Sequence, residues 1–190
     1  MQAADSAGSP SAHPAGYAAL LVPVLIGCLV TITIGVYGRL HTPTGVGVNL
    51  AGFSSPLTVK VWLTTVAATL ALVQLVSALA LYGRLPRVQA PSWTGGLHRW
   101  SGRAAFLCAV PVAVHCLYAL GLQSSDPRTL LHSLAGCLFF GAFTAKMLLL
   151  PRSGLPGWAL PIAGAVTFTA LVVLWLTSSL WFFTTIGFRL

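Results

Sequence analysis

The chain has 190 residues, 56% of them hydrophobic, and carries ten Lys and Arg against two acids for a formal charge of +8. Nucleic-acid binding is excluded, because the few cations flank apolar runs instead of forming a basic polar surface. A water-soluble globule is excluded as well: five stretches reach about the 20 apolar residues that cross a bilayer core of roughly 30 Å.

Residues 1–16 are rich in Ala, Ser, Gly and Pro and hold no Lys or Arg. A secretory signal opens on a basic segment, so this stretch reads as a disordered tail, with His13 inside it. Residues 17–190 read as one all-α integral membrane domain, a five-helix transmembrane bundle, because a span must satisfy its own backbone in lipid.

The first predicted span is Tyr17–Tyr37. The polar connection Gly38–Ser55 follows, with Arg39 and His41. His41 has three readings there: a spare ligand, a contact to an acidic group of a cofactor, or a plain loop residue. The second span, Pro56–Leu81, holds Gln74 with Thr64, Thr65, Thr69 and Ser77 around it. Such groups face a bundle interior, and structural hydrogen bonding explains them. Arg84, Arg87, Arg99 and Arg103 then gather around the start of the third span, Gly102–Leu120, with His98 at its inner end. This span contains Pro111, which removes a helical hydrogen bond and kinks the helix, and His115 four residues later. After the polar turn Gln123–Arg128, the fourth span, Thr129–Leu150, carries His132. The fifth, Trp158–Ile186, ends in Trp181, Phe182 and Phe183, a group suited to a membrane interface. Counting Lys146 and Arg152 with the four arginines before the third span gives six cations on one side. Arg39, Lys60, Arg128 and Arg189 make four on the other. That bias predicts a multi-pass membrane protein with a cytoplasmic N-terminus.

The midpoint between His115 and His132 falls inside the Gln123–Arg128 turn. If the third and fourth spans form a hairpin, the two imidazoles lie at one depth, near the outer face. Ionisable groups within spans are rare and usually functional. Two facing histidines can be a hydrogen-bonded packing pair, a proton relay, part of a His–Cys metal site with Cys116 or Cys137, or the axial ligands of a haem b. The last reading uses most of the surroundings. Arg128 stands one turn before His132 on the same helix face, where it can meet a propionate. Gly136 stands one turn after it and leaves room for a flat macrocycle, with Phe139 and Phe143 continuing the wall. Paired histidine ligation suits electron transfer. His98 shares the HxxxG spacing through Gly102, so a second haem is a further expectation, but its side of the membrane offers only His13 as a partner. His98 alternatively works with Arg99 and Arg103 at the interface, or lines a site for quinone or lipid headgroups. No CxxCH occurs, so covalent haem attachment is not expected, and zinc-ligand spacing is absent.

The segment LHRWSGRAAFLCAVPVAVHCLYALG, followed by RTLLHSLAGCLFFGAFTAKMLLL, carries a resemblance over Leu97–Leu150. It resembles bacterial b-type transmembrane cytochromes of the cytochrome b561 and ferric-reductase-like kind, and is similar to small actinobacterial membrane proteins. A weaker echo lies in the second span and in LPGWALP. In ferric-reductase-like proteins an HRxxGR run opens a helix bearing a further histidine; His98 and His115 occupy those places here. They differ by 17 residues, which sets them about 100° apart around a straight helix instead of on one face. There is no GxGxxG fingerprint for a nicotinamide domain. The resemblance thus implies haem and electron transfer without a self-sufficient reductase: one haem on His115 and His132, relaying electrons from a membrane donor such as quinol to an external acceptor. Candidate acceptors are a Rieske or copper protein or a ferric chelate. Such a chain would serve as an electron-transfer subunit of an oxidoreductase. The alternative is a non-haem scaffold or accessory subunit of a respiratory complex; a transporter is disfavoured because both acids, Asp5 and Asp126, lie outside the spans.

Overall fold

The computed structural model describes residues 14–190 apart from Val88. The expected tail, including His13, lies outside the described residues up to position 13, whereas Pro14–Gly16 already belong to the first helix. The helices are α1 (Pro14–Leu40), α2 (Pro56–Leu81), α3 (Thr94–Val114), α4 (Pro127–Leu149), α5 (Ala159–Trp175) and the short α6 (Trp181–Thr185). Two π-helical turns extend them: His115–Leu120 continues α3, and Leu176–Leu180 joins α5 to α6. Five helical segments are long and apolar enough to cross a membrane: Tyr17–Leu40, Pro56–Leu81, Thr94–Leu120, Pro127–Leu149 and Ala159–Thr185. The chain is therefore an all-α, multi-pass membrane protein, with lipid as its surrounding solvent.

The third helix starts earlier than its hydropathy suggests. It begins at Thr94 and takes in Arg99, while His98 lies near its start, the helix end where the sequence places it. Helices α2 and α4 begin with the same device. Ser55 and Asp126 are N-caps, each followed by proline at the first helical position and threonine at the third. Each cap side chain accepts from the threonine N–H, while the threonine hydroxyl accepts from the cap N–H. Proline fits there because its missing N–H would be unpaired anyway. Asp126 lies outside the span. The Thr129 N–H holds its carboxyl below the usual carboxylate range, with the Thr129 hydroxyl and Arg128 acting in the same direction.

Packing divides the bundle. Helix α1 lies along α4, α4 along α5, and α3 along α2, while α2 also touches α5. Gly27 and Gly141 let α1 and α4 approach backbone to backbone: a Cβ on Gly27 would stand 2.6 Å from the Gly141 carbonyl oxygen. Small residues give membrane helices this closeness, since lipid supplies no hydrophobic drive between them. The opposite side of α1 meets lipid; Leu21, Leu25, Leu29 and Ile32 are 61–64% exposed. Mid-bundle, Ala67, Ala71, Ala109, Phe139, Ala170 and Leu171 form a buried core. Helices α3 and α4 are joined by a short turn yet share almost no close backbone approach. Phe106 reaches across the gap between them, stacking on Phe143 at 4.1 Å and meeting Phe140 edge-on.

Candidate functional site

The gap between α3 and α4 opens, on the side of the Gln123–Arg128 turn, into a cavity of about 260 Å³. Small-molecule sites occupy ~300–1,000 Å³, so this one lies just beneath that range. Its floor is the core: Ala67, Ala109, Phe139 and Leu171. Helix α3 contributes Val112, Ala113 and Cys116, and α4 contributes Arg128, His132 and Gly136. Lys60 and Thr64 enter from α2, and Thr177 and Trp181 from the α5–α6 side. Among the described residues no acidic side chain lines it.

His132 is fixed in one tautomer. Its Nδ1 lies 2.9 Å from Thr177 Oγ1. That hydroxyl has a single proton, which it donates to the Val173 carbonyl at 2.7 Å, with the Leu174 carbonyl at 3.3 Å. With that proton so committed, Thr177 accepts from His132, an assignment that places the hydrogen on Nδ1. The Leu174 backbone also bonds the ring, and Nε2 makes no hydrogen bond within 3.5 Å among the described residues. A ligand histidine requires this preparation: one nitrogen oriented by a neighbour and the other open. Gly136 adds room. A Cβ placed there would find only Leu174 Cδ2, at 3.8 Å, so no protein packing demands glycine at this position.

Arg128 shares the face of His132, as its spacing predicts. Its Nη1 donates to the Thr177 carbonyl at 2.8 Å, and its guanidinium lies 4.0 Å above the Trp181 ring. Asp126 acts on it electrostatically from the turn. Lys60 is different. It is 9% exposed, lines the cavity, and its ammonium has no hydrogen-bond partner among the described residues. It stands within Coulombic reach of both His132 and His115.

His115 is at this end of the bundle but does not line the cavity. A helix turns about 100° per residue, so the neighbour of Cys116 faces sideways, toward the α1–α2 connection. A Cβ on Gly47 would collide with the His115 ring and would approach Pro56 Cβ at 2.8 Å. The connection is tied down nearby. Thr44 and Gly45 donate their N–H groups to the Tyr118 and Ala119 carbonyls, which the end of the π turn leaves open. His41 belongs to this strap: it lies between the rings of Tyr37 and Tyr118, and its Nε2 donates to the Tyr118 carbonyl at 3.1 Å. His41 thus holds backbone and stands outside the cavity wall.

His98 lies at the opposite end of the bundle. Its Nδ1 is 2.9 Å from Ser77 Oγ, which donates to the Val73 carbonyl, so here too Nδ1 carries the hydrogen. Gln74 donates to the His98 carbonyl and to Ser101 Oγ, the structural bonding expected of it. Gly102 is packed: a Cβ there would meet the Gln74 amide at 3.0–3.2 Å. The two HxxxG segments thus differ in kind, since Gly136 borders open space and Gly102 fits against a side chain.

Of the six residues singled out by sequence, the cavity brings together His132, Arg128 and Gly136; His115 stands beside it, and His41 and His98 lie elsewhere. Lys60 and Thr177 were overlooked. The signal for Lys60 was present: Lys60, Thr64, Ala67 and Ala71 recur at four, three and four residues, a small-residue stripe that marks the inward face of α2. Among the described residues no three His, Cys, Asp or Glu side chains cluster, and the four thiols are free. The arrangement can receive a flat apolar body, offer it one imidazole nitrogen, and meet a negative group at its rim. No curated protein and no solved structure matches the chain. A family model does match residues 20–190, and the chain belongs to that family, DUF6529, a family of unknown function.

Proposed function

We propose that the chain is a membrane cytochrome of the b type, relaying electrons between a membrane donor such as quinol and an acceptor outside the bilayer. The observation that carries this reading is His132: its Nδ1 is held by Thr177, its Nε2 is open, and Gly136 clears space one turn away. The resemblance of Leu97–Leu150 to b-type cytochromes supports the same conclusion. His132 would hold the iron through Nε2, with the apolar walls of α3 and α4 flanking the ring; His115, which faces the α1–α2 connection in this structure, would have to turn its ring toward the cavity to serve as the second ligand. A bound haem would supply one-electron chemistry. The protein's own residues orient the imidazole, exclude water through Phe139, Leu171 and Leu174, and place Lys60 and Arg128 where acidic groups of a cofactor would lie. A second haem on His98 gains less support, because Gly102 is occupied by Gln74.

The test is a reduced-minus-oxidised absorption spectrum of the detergent-purified chain, produced with haem supplied. One haem b per chain is expected, lost in His132→Ala and converted from low-spin to high-spin in His115→Ala. A colourless protein, or colour that survives His132→Ala, would overturn the reading. A protein that stays folded and colourless would favour the non-haem scaffold.

A further inference from the structure

Lys60 poses a problem that His132 does not solve. Lys60 as a residue is 9% exposed, sits near the start of a membrane-spanning helix and lines a largely apolar cavity. A cation within a span is costly unless something compensates it. Lysines near helix ends often escape by extending to the interface, but this one lines the cavity with no hydrogen bond among the described residues. The second cation in the wall, Arg128, is held in place: it donates to Thr177 and covers Trp181. Lys60 is the cavity cation with no such hold among the described residues.

We propose that the cavity binds an amphipathic carboxylate, its apolar body in the gap between α3 and α4 and its carboxylate on Lys60 Nζ. The headgroup follows from Lys60: a single carboxylate neutralises its ammonium and needs no second cation to move. The lining selects the body: Ala67, Ala109, Val112, Phe139, Phe140 and Leu171 offer it only hydrocarbon. Lys60 suits the role because an ammonium on a flexible stem is a point charge that follows its partner, while the Arg128 fork is held in place. Two sources present this chemistry, a porphyrin propionate and a free long-chain acid. The proposal shares its cavity with the cytochrome reading but is anchored on a different residue, so either can fail alone.

The experiment compares acids with their esters on the full chain in non-ionic detergent. One arm titrates iron protoporphyrin against its dimethyl ester, read by absorption. The other titrates a fluorescent long-chain fatty acid against its methyl ester. The free acid is expected to bind about tenfold or more tightly than the ester in at least one arm, in keeping with a desolvated charge pair. Lys60→Met should erase that preference and Lys60→Arg should retain it. A preference in the porphyrin arm alone identifies a propionate; one in the fatty-acid arm alone, surviving His132→Ala, identifies a lipid acid and holds even if no haem is ever bound. Equal binding of acid and ester in both arms of the wild-type chain would overturn the proposal, and that comparison needs no variant to fold. A preference that persists in Lys60→Met would overturn it equally.

Discussion

Replacing Thr177 by valine keeps the shape of the side chain and deletes the hydroxyl that His132 Nδ1 meets at 2.9 Å. Two consequences follow from one atom. A buried imidazole N–H loses its acceptor, which costs about 1–3 kcal/mol when nothing replaces it. The proton is also no longer tied to Nδ1, so the tautomer with hydrogen on Nε2 becomes accessible and the lone pair facing the cavity is lost for part of the time. Removing the outer partner of a metal-binding histidine weakens affinity by roughly 10–100-fold. Thr177→Val should therefore lower both thermal stability and haem affinity, measured on the detergent-solubilised chain by a thermal melt and by haem titration. Thr177→Ser, which keeps the hydroxyl, should restore most of both. If Thr177→Val melts earlier but binds haem as tightly as wild type, the bond is structural only and Nε2 of His132 is not the ligand.

Three further outcomes are expected. Gly136→Ala should leave stability nearly unchanged, since its Cβ makes an ordinary contact at 3.8 Å, while Gly136→Leu should fill the cavity and abolish haem uptake in a chain that still folds; a melt and a titration on both variants separate the effects. Gly141→Ala should lower stability by about 1–3 kcal/mol through overpacking, because its Cβ would overlap Thr31 and the Gly27 carbonyl; an unchanged melt would refute the close α1–α4 approach. Asp126 has a depressed folded-state pKa, so its contribution is present above the ordinary carboxylate value of about 3.9 and is lost as pH falls through the lower folded value. The exchange protection of the Thr129 amide, taken relative to its intrinsic rate at each pH, should fall in that acid window, and Asp126→Asn should remove the pH dependence.

The spans were legible because hydropathy is a property of residues summed along the chain. The face each residue presents was legible only where spacing was regular. Arg128, His132 and Gly136 lie four apart on an undistorted helix, and they share the cavity as that spacing predicts. His115 was placed by depth, which counting gives, and not by azimuth, which depends on the neighbouring helix. Thr177 reads in sequence as one more hydroxyl bonded to its own backbone. Only the adjacency of α4 and α5 turns it into the orienting partner of His132. Lys60 was grouped with the flanking cations because lysines near helix ends usually reach water; what holds it inside is the position of α2 against both α3 and α5.

The sparse contact between α3 and α4 has a mechanical consequence. The bundle is two slabs, α1–α4–α5 and α2–α3, joined where α2 meets α5. Local opening follows the lines with the fewest buried contacts. The α3–α4 seam is such a line, closed by phenyl rings that can slide and crossed at one end by a turn. Spreading it would enlarge the cavity beyond 260 Å³ while leaving the Gly27–Gly141 contact and the α2–α3 face intact. The strap around His41 bridges the slabs and would limit how far they part. A guest larger than the resting cavity would then be accommodated by moving one pair of helices as a body, without unfolding any of them.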